Sequence, residues 1–109
     1  MTSLHTQVRD DLNHAMKDRD MTRVKVLRTT LSAIQNAEAV EGVASVEGIA
    51  GYGDVARRSL SDEDVSGIIS REIEEFEGYV AEYRRIGQTE KAEGFQQEVE
   101  LLRGYLEDG

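Results

Sequence analysis

Apolar residues recur at helical spacing along almost the whole of this 109-residue chain, and no proline interrupts them. Residues three or four apart share one face of a helix, so this recurrence predicts amphipathic helices. The first two stripes are Leu4-Val8-Leu12-Ala15 and Val24-Leu27-Leu31-Ile34. Two further stripes lie in the second half, one starting at Val65 and the other at Ala92. The pattern predicts an all-α bundle of about four helices in two antiparallel hairpins, and the length fits a single domain over 1–109.

The second predicted helix also has a weaker apolar face, made of Val26, Thr30, Ala33 and Ala37. A helix that is apolar on two sides usually lies between partners. We therefore expect this helix to pack against more than one neighbour.

Residues able to cap a helix stand at the start of each predicted helix: Ser3, Asp20 or Thr22, Ser61, and Thr89. Asp64 follows Ser61 by three residues, which is the spacing of a capping box. Gly87 suits the left-handed residue that ends a helix. The short link it begins makes helices three and four antiparallel neighbours.

Glycines interrupt the helical pattern between helices two and three, at Gly42, Gly48, Gly51 and Gly53. Each costs a helix about 1 kcal/mol relative to alanine, so the sequence predicts a flexible Gly-rich loop over 41–59. A loop of this length is uncommon inside a compact domain, which leaves disorder or a functional insertion open. No strand precedes these glycines and no Gly-Lys-Ser/Thr follows, so a phosphate-binding loop is not favoured.

The net charge of −9 is distributed unevenly along the chain. Residues 1–40 carry a charge of +1, and residues 41–109 carry −10. Affinity for nucleic acid comes largely from Lys and Arg that neutralise phosphates. Any contact with nucleic acid must therefore use the first part of the chain, whereas the acidic remainder favours solubility.

The residues of common catalytic and metal sites are not arranged to work together. The chain has no cysteine, and His5 and His14 fall on different sides of the first predicted helix. No serine has a histidine and an aspartate arranged to activate it. We expect no catalytic residue, no metal and no cofactor. The lack of cysteine, of a signal peptide and of a membrane-spanning run favours a cytoplasmic protein without a membrane partner.

Several short segments, taken in order, resemble the GatB/YqeY family. They are AMKDRD at 15–20, LR at 27–28, IQNAE at 34–38, LSDEDV at 60–65, ISREI at 69–73, RIG at 85–87 and EVELLRGYL at 98–106. The family includes small free-standing proteins and the tail of the B subunit of the tRNA-dependent amidotransferase. The resemblance therefore implies an α-helical fold and a tRNA-linked role. In that enzyme the tail helps to bind tRNA while the amide chemistry lies elsewhere, so a label of carbon–nitrogen ligase activity would apply by resemblance only.

The resemblance implies tRNA or amidotransferase subunits as partners of a non-catalytic module. The candidate phosphate contacts are Lys17, Arg19, Arg23, Lys25 and Arg28, which are also ordinary helix-surface residues. Three departures from the family matter. Glu74 and Glu75 stand where relatives commonly have basic residues, we expect the C-terminal subdomain of longer relatives to be missing, and the loop at 41–59 is longer than usual. The net charge of −9 and the missing subdomain favour the alternative function, an acidic protein–protein interaction module with no nucleic-acid role.

Two further predictions concern how the helices pack. Glu72 lies near the centre of the apolar face of helix three, so it should find a cation or raise its pKa. Arg28 and Arg23 flank the main stripe of helix two, and we expect Arg28 to form a structural ion pair with Glu72. Leu101 and Tyr105 point away from the core stripe of helix four. We expect them to be exposed and to form a patch for weak self-association or a partner.

Overall fold

The structure, a computed structural model, describes residues 3–46 and 60–107. These residues form four helices and no strand: α1 (Leu4–Asp18), α2 (Met21–Val46), α3 (Asp62–Arg85) and α4 (Thr89–Glu107). The most extensive packing is of α1 along α2 and of α3 along α4, which makes two helical hairpins. The two hairpins pack together, and the predicted all-α bundle is confirmed.

Two of the predicted helix starts have the expected capping serine. The Ser3 side chain accepts a hydrogen bond from the N–H of Thr6. The Ser61 side chain accepts from the N–H of Asp64, whose carboxylate accepts from the N–H of Ser61, so the capping box is complete. The fourth start differs by one residue, because α4 already includes Thr89.

Backbone in the left-handed region ends two of the helices. Arg19 follows α1 with φ 57°, and its N–H and that of Asp20 pair with the carbonyls of Met16 and Ala15. Gly87 follows α3 with φ 80°, as its position in the sequence predicted. Glycine adopts this conformation without steric cost, whereas Arg19 does not.

The α2 helix is longer than the glycine pattern suggested. It continues to Val46, so the first six residues of the predicted loop 41–59 are helical. A single glycine costs an established helix only about 1 kcal/mol, because adding a turn avoids the cost of nucleation. The remaining residues of that loop, 47–59, lie outside the described residues.

The core draws apolar side chains from all four helices. The largest fully buried ones include Val8 from α1, Leu27 and Ile34 from α2, Ile69 from α3 and Leu102 from α4. The predicted stripes therefore face inward. Within the described ranges, no helix is both long and apolar enough to cross a bilayer.

Within the described residues, polar contacts with a carboxyl group on one side join the α1–α2 hairpin to the α3–α4 hairpin. They link the Leu4 N–H to Asp62, Thr30 to Glu72, Lys25 to Glu98, and the Tyr105 hydroxyl to Asp11.

Candidate nucleic-acid interface

The first part of α2 is positively charged in an otherwise acidic chain. Residues 21–37 contain Arg23, Lys25 and Arg28 and no aspartate or glutamate. Phosphate backbones are bound by such local excesses of Lys and Arg, whatever the net charge of the whole protein. The orientation of these three cations therefore decides whether α2 can bind a polyanion.

Two of the three cations share the exposed side of α2. The helix buries Val26, Leu27, Thr30 and Ile34 on its other side. A shallow open groove follows the exposed side, lined by Met21, Val24, Lys25, Arg28, Thr29, Ser32, Ala33 and Asn36. We call the exposed members of this set, namely Met21, Lys25, Arg28, Thr29, Ser32 and Asn36, the outer face of α2. It combines two cations with hydroxyl and amide groups, which are the donors that contact phosphate oxygens.

Lys25 extends from the outer face towards α4. Its Nζ lies 3.7 Å from Oε2 of Glu98 and 5.5 Å from the centroid of the Phe95 ring. The Lys25 side chain is 68% exposed, whereas that of Glu98 is only 8% exposed. Burial raises the pKa of the Glu98 carboxyl, and the charge of Lys25 opposes that shift.

Arg28 is held less firmly than Lys25. Its Nη2 lies 3.7 Å from Sδ of Met16, on α1, and the side chain is exposed. A thioether is a weak acceptor, so this contact leaves most of the guanidinium's hydrogen-bonding capacity for a ligand.

The other three predicted phosphate contacts do not lie on the outer face of α2. Arg23 lines two small cavities with Asp11 of α1, and Tyr105 of α4 lines one of them. Lys17 is in the last turn of α1, and Arg19 is the left-handed residue that follows it. The structure thus brings together only Lys25 and Arg28 among the five candidates.

The predicted Arg28–Glu72 pair is not formed, and this prediction is corrected. Glu72 instead faces the Thr30 hydroxyl, with 2.7 Å between Oγ1 and Oε1. Residues on a helix are about 100° apart, so Arg28 points roughly 200° away from Thr30. Because Thr30 faces α3, Arg28 is directed towards α1 and solvent.

The half-buried position of Glu72 still affects its protonation. Burial raises the pKa of the Glu72 carboxyl above its usual 4.5, the hydrogen bond from Thr30 opposes the shift, and the charge of Glu75 adds to it. A small cavity beside it is lined by Glu72, Glu75, Arg71 and the small side chains of Ala33 and Ala37. Of the two expected outcomes for Glu72, a cation partner or a raised pKa, the structure has the raised pKa.

The predicted exposed patch at Leu101 and Tyr105 is also corrected. Both residues are half-buried and pack against the core cluster. The Tyr105 hydroxyl donates a hydrogen bond to Asp11 of α1. Burial raises the pKa of Tyr105, and this hydrogen bond adds to the shift. The α1–α2 hairpin covers this side of α4. Self-association through these two residues required them to be exposed, and they are not.

Sequence reasoning missed Glu98 as a partner of the candidate interface. Glu98 is 6% exposed, which makes it one of the few buried charged residues in the described part of the chain. A signal was present, because Phe95, Leu101 and Leu102 stand three or four residues away on α4. A glutamate with apolar residues one helical turn before it and one turn after it lies on an apolar face. Such a position predicts a buried carboxyl group that needs a hydrogen-bond or charge partner.

Across the described ranges, no group of three or more His, Cys, Asp or Glu side chains is placed to hold a metal ion. The fold and site together define a small helical bundle in which Lys25 and Arg28 share an exposed helix face. The chain belongs to the YqeY family, because the family model described as Yqey-like protein matches residues 5–108. No curated protein and no solved structure matches it.

Proposed function

We propose that this chain is a non-catalytic binding module that contacts the phosphate backbone of tRNA through the outer face of α2. The observation that carries the proposal is that Lys25 and Arg28 share an exposed face of α2, in a stretch of that helix that contains no aspartate or glutamate, although the chain has a net charge of −9. Membership of the YqeY family supports the proposed tRNA link, since the resemblance implies a role like that of the amidotransferase tail. Such a module works in the cytoplasm and needs no cofactor.

The chemistry of the outer face suits phosphates better than base edges. Lys25 and Arg28 supply charge, while Thr29, Ser32 and Asn36 supply neutral hydrogen-bond groups beside them. Contacts of this kind fix the orientation of a nucleic acid and carry no sequence information. The module is therefore expected to bind tRNAs of different sequence with similar affinity.

A titration with bulk tRNA tests the proposal, with binding followed by fluorescence anisotropy at about 50 mM and about 200 mM salt. The Lys25→Gln/Arg28→Gln double variant removes both cations of the outer face. The Arg71→Gln/Arg84→Gln variant is the matched control, because it removes two exposed cations of α3 and gives the same net charge.

We expect the first variant to bind more weakly and to reduce the slope of log affinity against log salt by about 1.4 to 1.8, the value for two lost phosphate contacts. The control variant should show a smaller change in affinity and a smaller change in the salt slope. Absence of tRNA binding at low salt, or equal losses in the two variants, would contradict the proposal.

A second candidate function is an acidic protein–protein interaction module. It is favoured by Tyr79 on the exposed side of α3 and Ile86 directly after that helix, which are 42% and 51% exposed near several glutamates. Aromatic residues are enriched at protein interfaces. Affinity purification from the native cell distinguishes the two candidates. Recovery of tRNA or amidotransferase subunits supports the first candidate, and recovery of an unrelated protein through a Tyr79-dependent contact supports the second.

A further inference from the structure

We infer that Glu98 is an internal competitor for Lys25, which lowers the affinity of the outer face of α2 for phosphate. The inference rests on the proposed function, because it concerns how that same face is regulated. It assigns a role to Glu98, a buried acid of α4 that contacts Lys25 of the outer face.

The geometry makes Glu98 a fixed anion and Lys25 a mobile cation. The Glu98 side chain is 8% exposed and held in a packed helix, so its carboxylate cannot follow a ligand. The Lys25 ammonium is on a long side chain that is 68% exposed, 3.7 Å from that carboxylate. Lys25 can therefore either stay beside Glu98 or turn towards a phosphate in the groove.

Moving Lys25 to a phosphate leaves the Glu98 carboxylate buried without its cation. A buried carboxylate without a partner is unfavourable, so part of the free energy gained at the phosphate is lost at Glu98. The contact of Lys25 with the Phe95 ring, 5.5 Å from its centroid, further favours the inward position. Arg28 has no carboxylate partner among the described residues and is not subject to this competition.

The test is a set of glutamine variants in the same tRNA titration. Glu98→Gln removes the competing charge and keeps the shape of the side chain. Glu100→Gln is the matched control, because it removes one acid from an exposed position of the same helix. We expect Glu98→Gln to bind tRNA about two- to fivefold more tightly than Glu100→Gln, the range typical of releasing a partly exposed ion pair.

The double variant Lys25→Gln/Glu98→Gln completes the cycle. If the gain comes from freeing Lys25, Glu98→Gln should give no gain when Lys25 is already absent. Equal affinities of Glu98→Gln and Glu100→Gln, or a gain that persists without Lys25, would overturn the inference. In that case the proposed function still stands if the loss of Lys25 and Arg28 weakens binding.

Chemical labelling gives a second readout that needs no tRNA. In its inward position the Lys25 ammonium lies 3.7 Å from the Glu98 carboxylate and 5.5 Å from the centroid of the Phe95 ring, so these groups cover part of it from a reagent in solution. Labelling of Lys25 by an amine-reactive ester, followed by mass spectrometry, should be faster in Glu98→Gln than in Glu100→Gln. Unchanged labelling would show that Glu98 does not hold Lys25, even if tRNA binding fails altogether.

Discussion

Replacing Thr30 by valine tests the contact that takes the place of the expected Arg28–Glu72 pair. Thr30 is fully buried, and its hydroxyl lies 2.7 Å from Glu72 and 3.0 Å from the carbonyl of Val26. Valine has a similar size but no hydroxyl, so Glu72 loses its donor. A hydrogen bond to a charged group contributes about 1.5–3 kcal/mol, and the half-buried position of Glu72 places this one near the lower end.

We therefore expect Thr30→Val to lower the free energy of unfolding at pH 7 by about 1.5 kcal/mol. In a domain of this size that loss corresponds to a fall in Tm of roughly 6–12 °C. Urea denaturation followed by far-ultraviolet circular dichroism measures both the midpoint and the slope. Thr30→Ser is the control, since it keeps the hydroxyl and loses only a methyl group.

The effect should depend on pH, because the pKa of Glu72 is raised by burial. Just above the ordinary value of 4.5, the folded chain holds a proton that the unfolded chain has lost. Stability then falls as pH rises through the window between the unfolded and folded pKa values. Loss of the Thr30 hydrogen bond raises the folded pKa further, so Thr30→Val should cost less at pH 4 than at pH 7. Glu72→Gln should remove this part of the pH dependence.

Two results would refute this reasoning. One is a Thr30→Val variant as stable as the parent at pH 7. The other is full additivity of Thr30→Val and Glu72→Leu, because replacing both partners by apolar groups should recover most of the loss.

Three further predictions concern single positions. Ser61→Ala breaks the capping box of α3 and should lower the free energy of unfolding by about 1 kcal/mol, whereas Ser70→Ala, at an exposed position inside the helix, should not. Arg19→Gly removes the steric strain of a left-handed backbone at φ 57° and should raise the free energy of unfolding by about 0.5–1 kcal/mol, seen as a higher urea midpoint. A lower midpoint would contradict this prediction. Tyr105 keeps its proton above the usual pKa of 10, so stability should fall as pH rises beyond 10, and Tyr105→Phe should reduce that fall in an alkaline denaturation series.

The sequence predicted most of what depends on local spacing. The core stripe of α1 and the capping box of Ser61 and Asp64 were readable because each involves residues a few positions apart. The weaker face of α2 was also readable, and its members Val26 and Thr30 are fully buried. The end of α2 was placed too early because glycine propensity alone does not measure how well an existing helix continues.

The errors concern which helix faces which. A helical wheel shows that Glu72 is on an apolar face, but the rotation of α2 against α3 decides whether Arg28 or Thr30 meets it. The burial of Tyr105 could not be predicted for the same reason, because the residue that contacts it, Asp11 of α1, is distant in the sequence. Of the candidate interface, the sequence identified Lys25 and Arg28 as cations. It could not identify their common face or the buried acid behind Lys25.

The arrangement as two hairpins has a consequence for the order of folding. Within each hairpin the packed helices are neighbours in sequence, whereas contacts between the hairpins join distant residues, such as Leu4 with Asp62. Local contacts form fastest because they close short loops. We expect each hairpin to collapse early and their docking to come last, so that variants at Thr30 mainly speed unfolding while variants inside the α3–α4 hairpin also slow folding.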